Sequence, residues 1–479
     1  VSATDPLDAL ARAAGERPAW LVGGAVRDGL LGRGTTDFDV VVDGDPEPLA
    51  RAAGRGADGH AFPLSQAFGA WRVVARDHSW QLDVLGLNGA TLREDLSRRD
   101  LTINAIARPL VTDRALVDPL DPLDQLVDPF GGAADLEARR LVMVCDESFR
   151  ADPLRVLRLA RLGGQLGFVV APATVARARQ SAHALETVAP ERVFGELRSL
   201  LVGPGTLDGL ALMDDLHATP AVLPELAALD GIGQSDYHHL DVGGHTRSVL
   251  GETIALVDDP SRLGVDDALA ARLSAALSQP LANELSRGQA LRFAALLHDI
   301  AKSRTRTESQ DGRVSFMGHD ALGAEMSREI LGRLRASDRL GDHVAALTRH
   351  HLALGFLVHR MPLTRRDVYG YLTTSAPVGV DVTVLSVADR LATRGRNCER
   401  AIALHLQVAA EMLGEAMDYE SAPPRPPLRG DELAVGLGIA PGPQIGSLLS
   451  ELTAAAFAGE VTDREQALSL ARALIDAGG

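Results

Sequence analysis

Cysteine, lysine and aromatic side chains are scarce in this chain. Of its 479 residues only Cys145 and Cys398 are cysteine, so neither a disulfide framework nor a cysteine-type zinc site is available. Lys302 is the only lysine, and nearly every positive charge is therefore an arginine, whose planar fork suits bidentate contacts to phosphate. No apolar run reaches the roughly 18–20 residues that cross a bilayer, so no membrane partner is expected. The opening residues Val1 to Asp5 are acidic and lack the basic and apolar regions of a secretory signal. A cytoplasmic setting is the expectation. Basic surplus is also missing: the net charge of −16 argues against a surface that binds nucleic acid everywhere, leaving room only for a local basic strip.

What is present is an ordinary globular composition, 46% hydrophobic and 23% charged, in a chain long enough for roughly three or four compact units. The first 140 or so residues mix β-like runs with helical stretches. Leu21-Val22 leads into Gly23-Gly24, Ala25 to Leu31 reads as a helix, and Phe38 to Val42, Trp71 to Ala75 and Trp80 to Leu85 read as strands. From Leu141 strand signals nearly vanish, and Pro153 to Leu162 and Val193 to Leu201 carry the spacing of amphipathic helices. Asp258 to Gln289 reads as an inserted acidic helical segment. Ala422-Pro423-Pro424-Arg425-Pro426-Pro427 can hold no regular helix and marks a linker before a last helical unit, about Gly430 to Ile475. The expected division is a head over 1–140, a helical neck over 141–205, a helical domain over 206–415 and a tail over 425–479.

Two groups of residues carry chemistry. In the head, Gly23-Gly24 lies between a strand and a helix, where the backbone can approach a ligand and free N–H groups can meet phosphate; Arg27 follows one turn on. Asp37 and Asp39 flank Phe38 at the mouth of the next strand, and a period of two puts both carboxylates on one face. Like charges so placed are costly without a cation, and Asp83 can join from a neighbouring strand. Three hard oxygen ligands describe a Mg²⁺ pair. In the helical body, His245, His298-Asp299, His319 and Asp389 are ligand-type residues, with His350 and His351 as further candidates; the choice between those two is open, with the preference on His351. Imidazole plus carboxylate suits Mn²⁺, Ni²⁺, Co²⁺ or Fe²⁺.

The head motifs carry a resemblance. Gly23 to Gly32, then Thr36-Asp37-Phe38-Asp39, Arg98 to Ala107, Asp128 to Gly132, Asp152 to Arg158, Glu191-Arg192-Val193 and Gly442 to Gly446 together resemble the bacterial (class II) tRNA nucleotidyltransferase and poly(A) polymerase family over nearly the whole length. The resemblance implies an α+β fold: a DNA polymerase β-like head with a mixed sheet, followed by an all-helical neck, a metal-binding helical domain and a tail. It implies addition of C, or C and A, to the tRNA 3′ end without a template, from CTP and ATP. The Mg²⁺ pair held by Asp37, Asp39 and Asp83 would activate the terminal hydroxyl and steady the leaving pyrophosphate. Gly23, Gly24, Arg27, Arg98, Arg99, Asp100, Asn104 and Arg158 would hold the incoming nucleotide. Asp152 and Arg155, read as an i, i+3 pair on a helix, would select C and A through the complementary donors and acceptors of their bases. Arg150 and Arg161 belong to an arginine stripe near this helix and are candidates for RNA phosphate. Poly(A) polymerase shares these residues and is the alternative within the class.

His298-Asp299 with its outlying partners resembles the HD phosphohydrolase superfamily, which implies hydrolysis of phosphate esters at an RNA end; a chain that is chiefly such a hydrolase is the alternative outside the class. Two departures from the head family stand out. Ala151 replaces an acid that many relatives carry, and only fourteen residues separate Asp83 from Arg98. In the family a short connection there goes with enzymes that add CC and leave the final A to a separate A-adding enzyme.

Overall fold

The computed structural model describes residues 5–65, 69–110, 126–235, 238–395 and 398–477; Val1 to Thr4, weighed above as a leader, lie outside them. The chain divides into two compact units, Val1–Val188 with Gly203–Ala221, and Ala189–Val202 with Val222–Gly479. The division falls inside the stretch expected as a neck. The helix Pro190–Val202 groups with the second unit because Phe194 meets the Phe293 ring at 6.0 Å and the Leu201 carbonyl accepts a 3.0 Å bond from Arg292 Nη1. Among the described residues no single helix is long and apolar enough to cross a membrane.

The first unit is built on a six-stranded mixed sheet. Its elements run α1 (Pro6–Ala14), β1 (Ala19–Val22), α2 (Gly24–Leu30), β2 (Asp37–Val42), α3 (Glu47–Gly56), β3 (Gly59–Ser65), β4 (Ala70–Ala75), β5 (Gln81–Gly86), α4 (Leu92–Ser97) and β6 (Ala107–Pro109). The strand order is β3-β4-β5-β2-β1-β6. Only β2 and β5 pair in parallel, with Asp39 opposite Asp83; the other neighbours are antiparallel. Val40, Val42, Leu82, Val84 and Val73 are fully buried and pack against α1 and α3. The strand β3 escapes sequence reading because Gly59, Pro63 and Ser65 interrupt its pattern. It lies at the sheet edge, where a proline costs no ladder bond.

Helices complete the unit: α5 (Gly132–Glu137), α6 (Ser148–Ala151), α7 (Leu154–Leu166), α8 (Pro172–Ser181) and, after the second-unit helix α9 (Pro190–Val202), α10 (Thr206–Asp215). Close approach of α7 to α10 depends on glycine: a Cβ on Gly164 would stand 2.4 Å from the Gly205 carbonyl oxygen.

The second unit is helical, with short two-stranded pairs. The segment expected as one acidic helical insertion is only partly helical. After the turn Pro260–Leu263 and the helix Asp267–Leu277, a hairpin pairs Pro280–Ala282 with Leu285–Ser286. Asn283 and Glu284 turn it with φ of 52° and 59°, a left-handed conformation that ends a helix. The tail folds around its own apolar cluster from three helices, Gly430–Leu437, Pro443–Phe457 and Arg464–Ala477.

Candidate active site and candidate metal centre

The head site begins at Gly23, which caps α2 with φ 72°. A side chain there would be strained, and its Cβ would meet Arg99 Nη1 at 3.0 Å and Asp39 Oδ2 at 3.5 Å. The glycine thus brings a helix N-terminus, an arginine and a carboxylate within reach of one another. Asp37 opens β2 exposed, Asp39 is half-buried, and Asp83 is buried opposite Asp39. Burial pushes the Asp39 carboxyl up to about 6; Arg99 pulls against that shift, while Asp37 and Asp83 reinforce it.

A cavity of about 450 Å³ gathers most of the nominated residues: Gly23, Gly24, Arg27, Asp37, Asp39, Arg98, Arg99, Asp100, Asn104, Arg155, Arg158 and Arg161, with Leu162 and Gln165. A buried chain of bonds forms its wall. Arg27 Nη1 donates to Asn104 Oδ1 at 2.8 Å, Asn104 Nδ2 donates to Asp100 Oδ1 at 2.9 Å, and Arg158 Nη1 stands 3.4 Å from Asp100 Oδ2. Burial alone would raise the Asp100 carboxyl, yet Arg158 and its hydrogen bonds hold it below the usual range. Arg98 donates to Asn88 Oδ1 at 2.7 Å, a contact with no sequence signal beyond the short connection that carries Asn88.

Three nominated residues stand outside this cavity lining: Asp83, Asp152 and Arg150. Asp83 is gripped by Arg72, a residue not singled out from sequence, through bonds of 2.7 Å to each oxygen. Arg150 is exposed and pairs with Glu147 at 3.1 Å. Asp152 departs from the expected i, i+3 placement. It does not share a helix with Arg155 but lies between α6 and α7 in an extended conformation, φ −148° and ψ 100°. The residue before a proline is pushed out of the helical region, and Pro153 does this here. Arg155 in turn donates to the backbone carbonyls of Arg98, Arg99 (3.2 Å) and Ser148 (3.0 Å), bracing the Arg98-Arg99 segment.

In the second unit five helices deliver a histidine–aspartate cluster. His245 comes from Val242–Asp258, His298-Asp299 from the end of Arg287–Leu297, His319 from the start of His319–Arg333, His351 from the end of Asp338–His350, and Asp389 from Gly379–Ala392. Each of His298, His319 and His351 turns Nδ1 to the carbonyl three residues before it, at 2.9, 2.7 and 2.6 Å, which aims Nε2 inward. Nε2 of His298 is 3.1 Å from Asp299 Oδ2; Nε2 of His319 is 3.4 Å and that of His351 3.9 Å from Oδ1; Nε2 of His245 is 3.0 Å from Asp389 Oδ1. Of the two neighbouring histidines it is His351, not His350, that enters the cluster, and burial first, then His298, pushes it down to about 4.

The donor set fits divalent ions. Among the described residues His298 Nε2 and both Asp299 oxygens are buried without a hydrogen-bond partner, a costly arrangement unless a cation takes them up. Two triads, His245-His298-Asp299 and Asp299-His319-His351, have ligand atoms within 4.8 Å of one another. Lys302 Nζ approaches Asp299 Oδ2 to 2.7 Å as an ion pair outside hydrogen-bond geometry, donates to Gln234 at 2.8 Å, and lies 5.2 Å over the Phe316 ring. Neither His238 nor His405 was singled out from sequence. Both line the adjoining cavity of about 510 Å³, and burial pushes each down to about 4.

A mixed sheet presenting two aspartates beneath an arginine-lined cavity, carried in one chain with a helical histidine–aspartate centre, defines a polymerase β-like nucleotidyltransferase head with an HD domain. Family models agree: a poly A polymerase head domain matches residues 19–87 and 87–142, an HD domain 270–394, and a "Probable RNA and SrmB- binding site of polymerase A" 167–229. An A-adding tRNA nucleotidyltransferase of Deinococcus radiodurans is 36% identical over 455 residues, 94% of each chain. A CC-adding tRNA nucleotidyltransferase of Thermus thermophilus is 35% identical over 94% of this chain and 92% of the relative. The chain belongs to the bacterial tRNA nucleotidyltransferase and poly(A) polymerase family. A CCA-adding enzyme solved with ATP shares its fold, with TM-score 0.65, 20% identity, and 98% and 96% of the two chains covered.

Proposed function

We propose that this protein adds nucleotides to the 3′ end of tRNA without a nucleic-acid template, drawing on CTP and releasing pyrophosphate, with two cytidines as the product. The observation that carries the reading is the single cavity holding Asp37 and Asp39 under Arg27, Arg98, Arg99 and Arg158. Asp37 and Asp39 would hold Mg²⁺, which when bound would supply charge neutralisation at the triphosphate and the attacking oxygen. The protein's own part is positional. The free N–H groups at Gly23-Gly24 and the arginine forks hold phosphate oxygens, and the Arg27–Asn104–Asp100–Arg158 chain keeps that wall rigid. Asp152 and Arg155 select the base, and because Arg155 is braced on the backbone of Arg98 and Arg99, base reading and phosphate holding are mechanically tied.

Product length rests on a second observation. Only Leu87 to Thr91 connect β5 to α4, too short a lever for the pocket to readjust from C to A. The two relatives above, which match over nearly their whole lengths, each complete only part of CCA. A separate A-adding enzyme would then finish the end. The HD centre, with Mn²⁺, Ni²⁺ or Co²⁺ as its ion, acts as a phosphohydrolase. A cytoplasmic setting, where tRNA and nucleoside triphosphates meet, goes with this reading.

The test is incubation with Mg²⁺ and labelled tRNA lacking its last three nucleotides, or lacking only the last, in lanes with CTP, ATP or both. Two additions with CTP and no third with ATP are expected. A third addition establishes full CCA synthesis; ATP use only on the CC-ended substrate establishes A addition; a long ladder with ATP establishes a poly(A) polymerase. No addition in any lane ends the reading. The Mg²⁺ concentration for half-maximal addition should rise as pH falls through about 6, because burial holds the Asp39 carboxyl at that value and only its ionised form binds a cation. A flat Mg²⁺ requirement from pH 5 to 8 would remove Asp39 from the ligand set.

A further inference from the structure

Arg72 lies outside the lining of the head cavity. It stands on β4 directly opposite Asp83 on β5, and Asp83 stands directly opposite Asp39 on β2. Opposed residues on neighbouring strands share a face with side chains about 5 Å apart. Arg72, Asp83 and Asp39 therefore form one cross-strand row, with Asp83 in the middle. Arg72 Nε reaches Asp83 Oδ1 and Nη2 reaches Oδ2, both at 2.7 Å. That is the fork-to-fork geometry that fixes the plane of a carboxylate as well as its charge. The pair is mostly enclosed, with 29% of the Arg72 and 12% of the Asp83 side chain exposed. Each Asp83 oxygen gives one lone pair to Arg72 and keeps another.

We propose that Arg72 is a positioning residue for nucleotide addition: its fork sets the Asp83 carboxylate so that the remaining lone pairs complete the ion site begun by Asp37 and Asp39. The proposal rests on the metal-dependent reading of the head. It also gives the third like charge beside Asp39 an ion-pair partner of its own. A lysine in place of Arg72 would keep the charge but lose the plane, since an ammonium is a point donor.

The deciding experiment measures Mn²⁺ binding to nucleotide-free protein by electron paramagnetic resonance, alongside kcat and KM for CTP. The share of Mn²⁺ lost in an Asp37→Ala/Asp39→Ala variant defines the head site. Arg72→Met is expected to weaken that share by about tenfold or more, the usual cost of removing an outer partner of a metal ligand. It should lower kcat by a similar factor with KM for CTP within about twofold. Arg72→Lys should recover part of the loss. In an Asp83→Asn background, Arg72→Met should cost nothing further, because a residue acting through Asp83 has nothing left to act on. Arg72→Gln replaces the methionine variant if that fails to fold. Folded Arg72→Met or Arg72→Gln with wild-type Mn²⁺ affinity and kcat overturns the proposal, as do additive losses in the double variant or a lowered thermal midpoint as the sole change. If Asp37→Ala/Asp39→Ala binds Mn²⁺ as wild type does, it is the metal reading of the head that fails, a separate result.

Discussion

Asp39→Ala is expected to reduce nucleotide addition by about a hundred- to a thousandfold, the scale on which losing a preorganised electrostatic group is felt, while leaving the metal-dependent phosphohydrolysis proposed for the HD centre unchanged. Asp39 is the more enclosed of the two aspartates at the mouth of β2 and lies beside both Gly23 and Arg99. Without it a bound Mg²⁺ would lose the inner ligand proposed for it, and Arg99 loses the charge that faces it across the glycine. Nothing in the HD cluster depends on that carboxylate, since its donors come from five helices of the other unit. Primer extension on labelled tRNA and hydrolysis of a phosphodiester with Mn²⁺ or Ni²⁺, run on one preparation, read both outcomes. Loss of both activities in a folded protein would contradict independent centres.

The converse substitution, Asp299→Ala, should empty the HD centre of metal and abolish its hydrolysis while nucleotide addition proceeds as before. Asp299 belongs to both triads, so its loss breaks every set of close ligand atoms found there. Burial pushes its carboxyl up, yet His298 and Lys302 outweigh this and hold it well below the usual range. The charge is thus retained in the interior by neighbours that it neutralises in return. Removing it strands Lys302, an uncompensated buried charge that costs about 3–5 kcal/mol in comparable settings. Asp299→Asn, which keeps the shape, is therefore the companion variant. Metal content per folded protein, by plasma mass spectrometry, decides the matter: wild-type stoichiometry in either variant would remove the HD hypothesis.

Much of the fold was legible because its elements declare themselves locally. Val40 to Val42 is a β-branched run, Leu82 and Val84 flank Asp83 with fully buried aliphatic side chains, and both strands lie in the sheet's interior. The edge strand β3 was hidden because an edge tolerates what a central strand does not, and the hairpin after Leu277 was hidden because two left-handed residues without glycine leave little trace. In the site, spacing located residues better than it oriented them. A period of two placed Asp37 and Asp39 together, but an i, i+3 spacing misplaced Asp152 since Pro153 interrupts the helix that the spacing presumes. Arg72, His238 and His405 come from remote segments, and only tertiary folding brings them to their partners. No local pattern announces such a contact.

The scarcity of lysine has a practical corollary at the HD centre. The one ε-amine among the chain's side chains sits 6% exposed against Asp299 and over the Phe316 ring. An acylating reagent that seeks side-chain amines therefore has a single address, and that address adjoins the metal ligands. Its rate of modification is a built-in gauge of how tightly the cluster is closed, readable in the intact protein without introducing any foreign label.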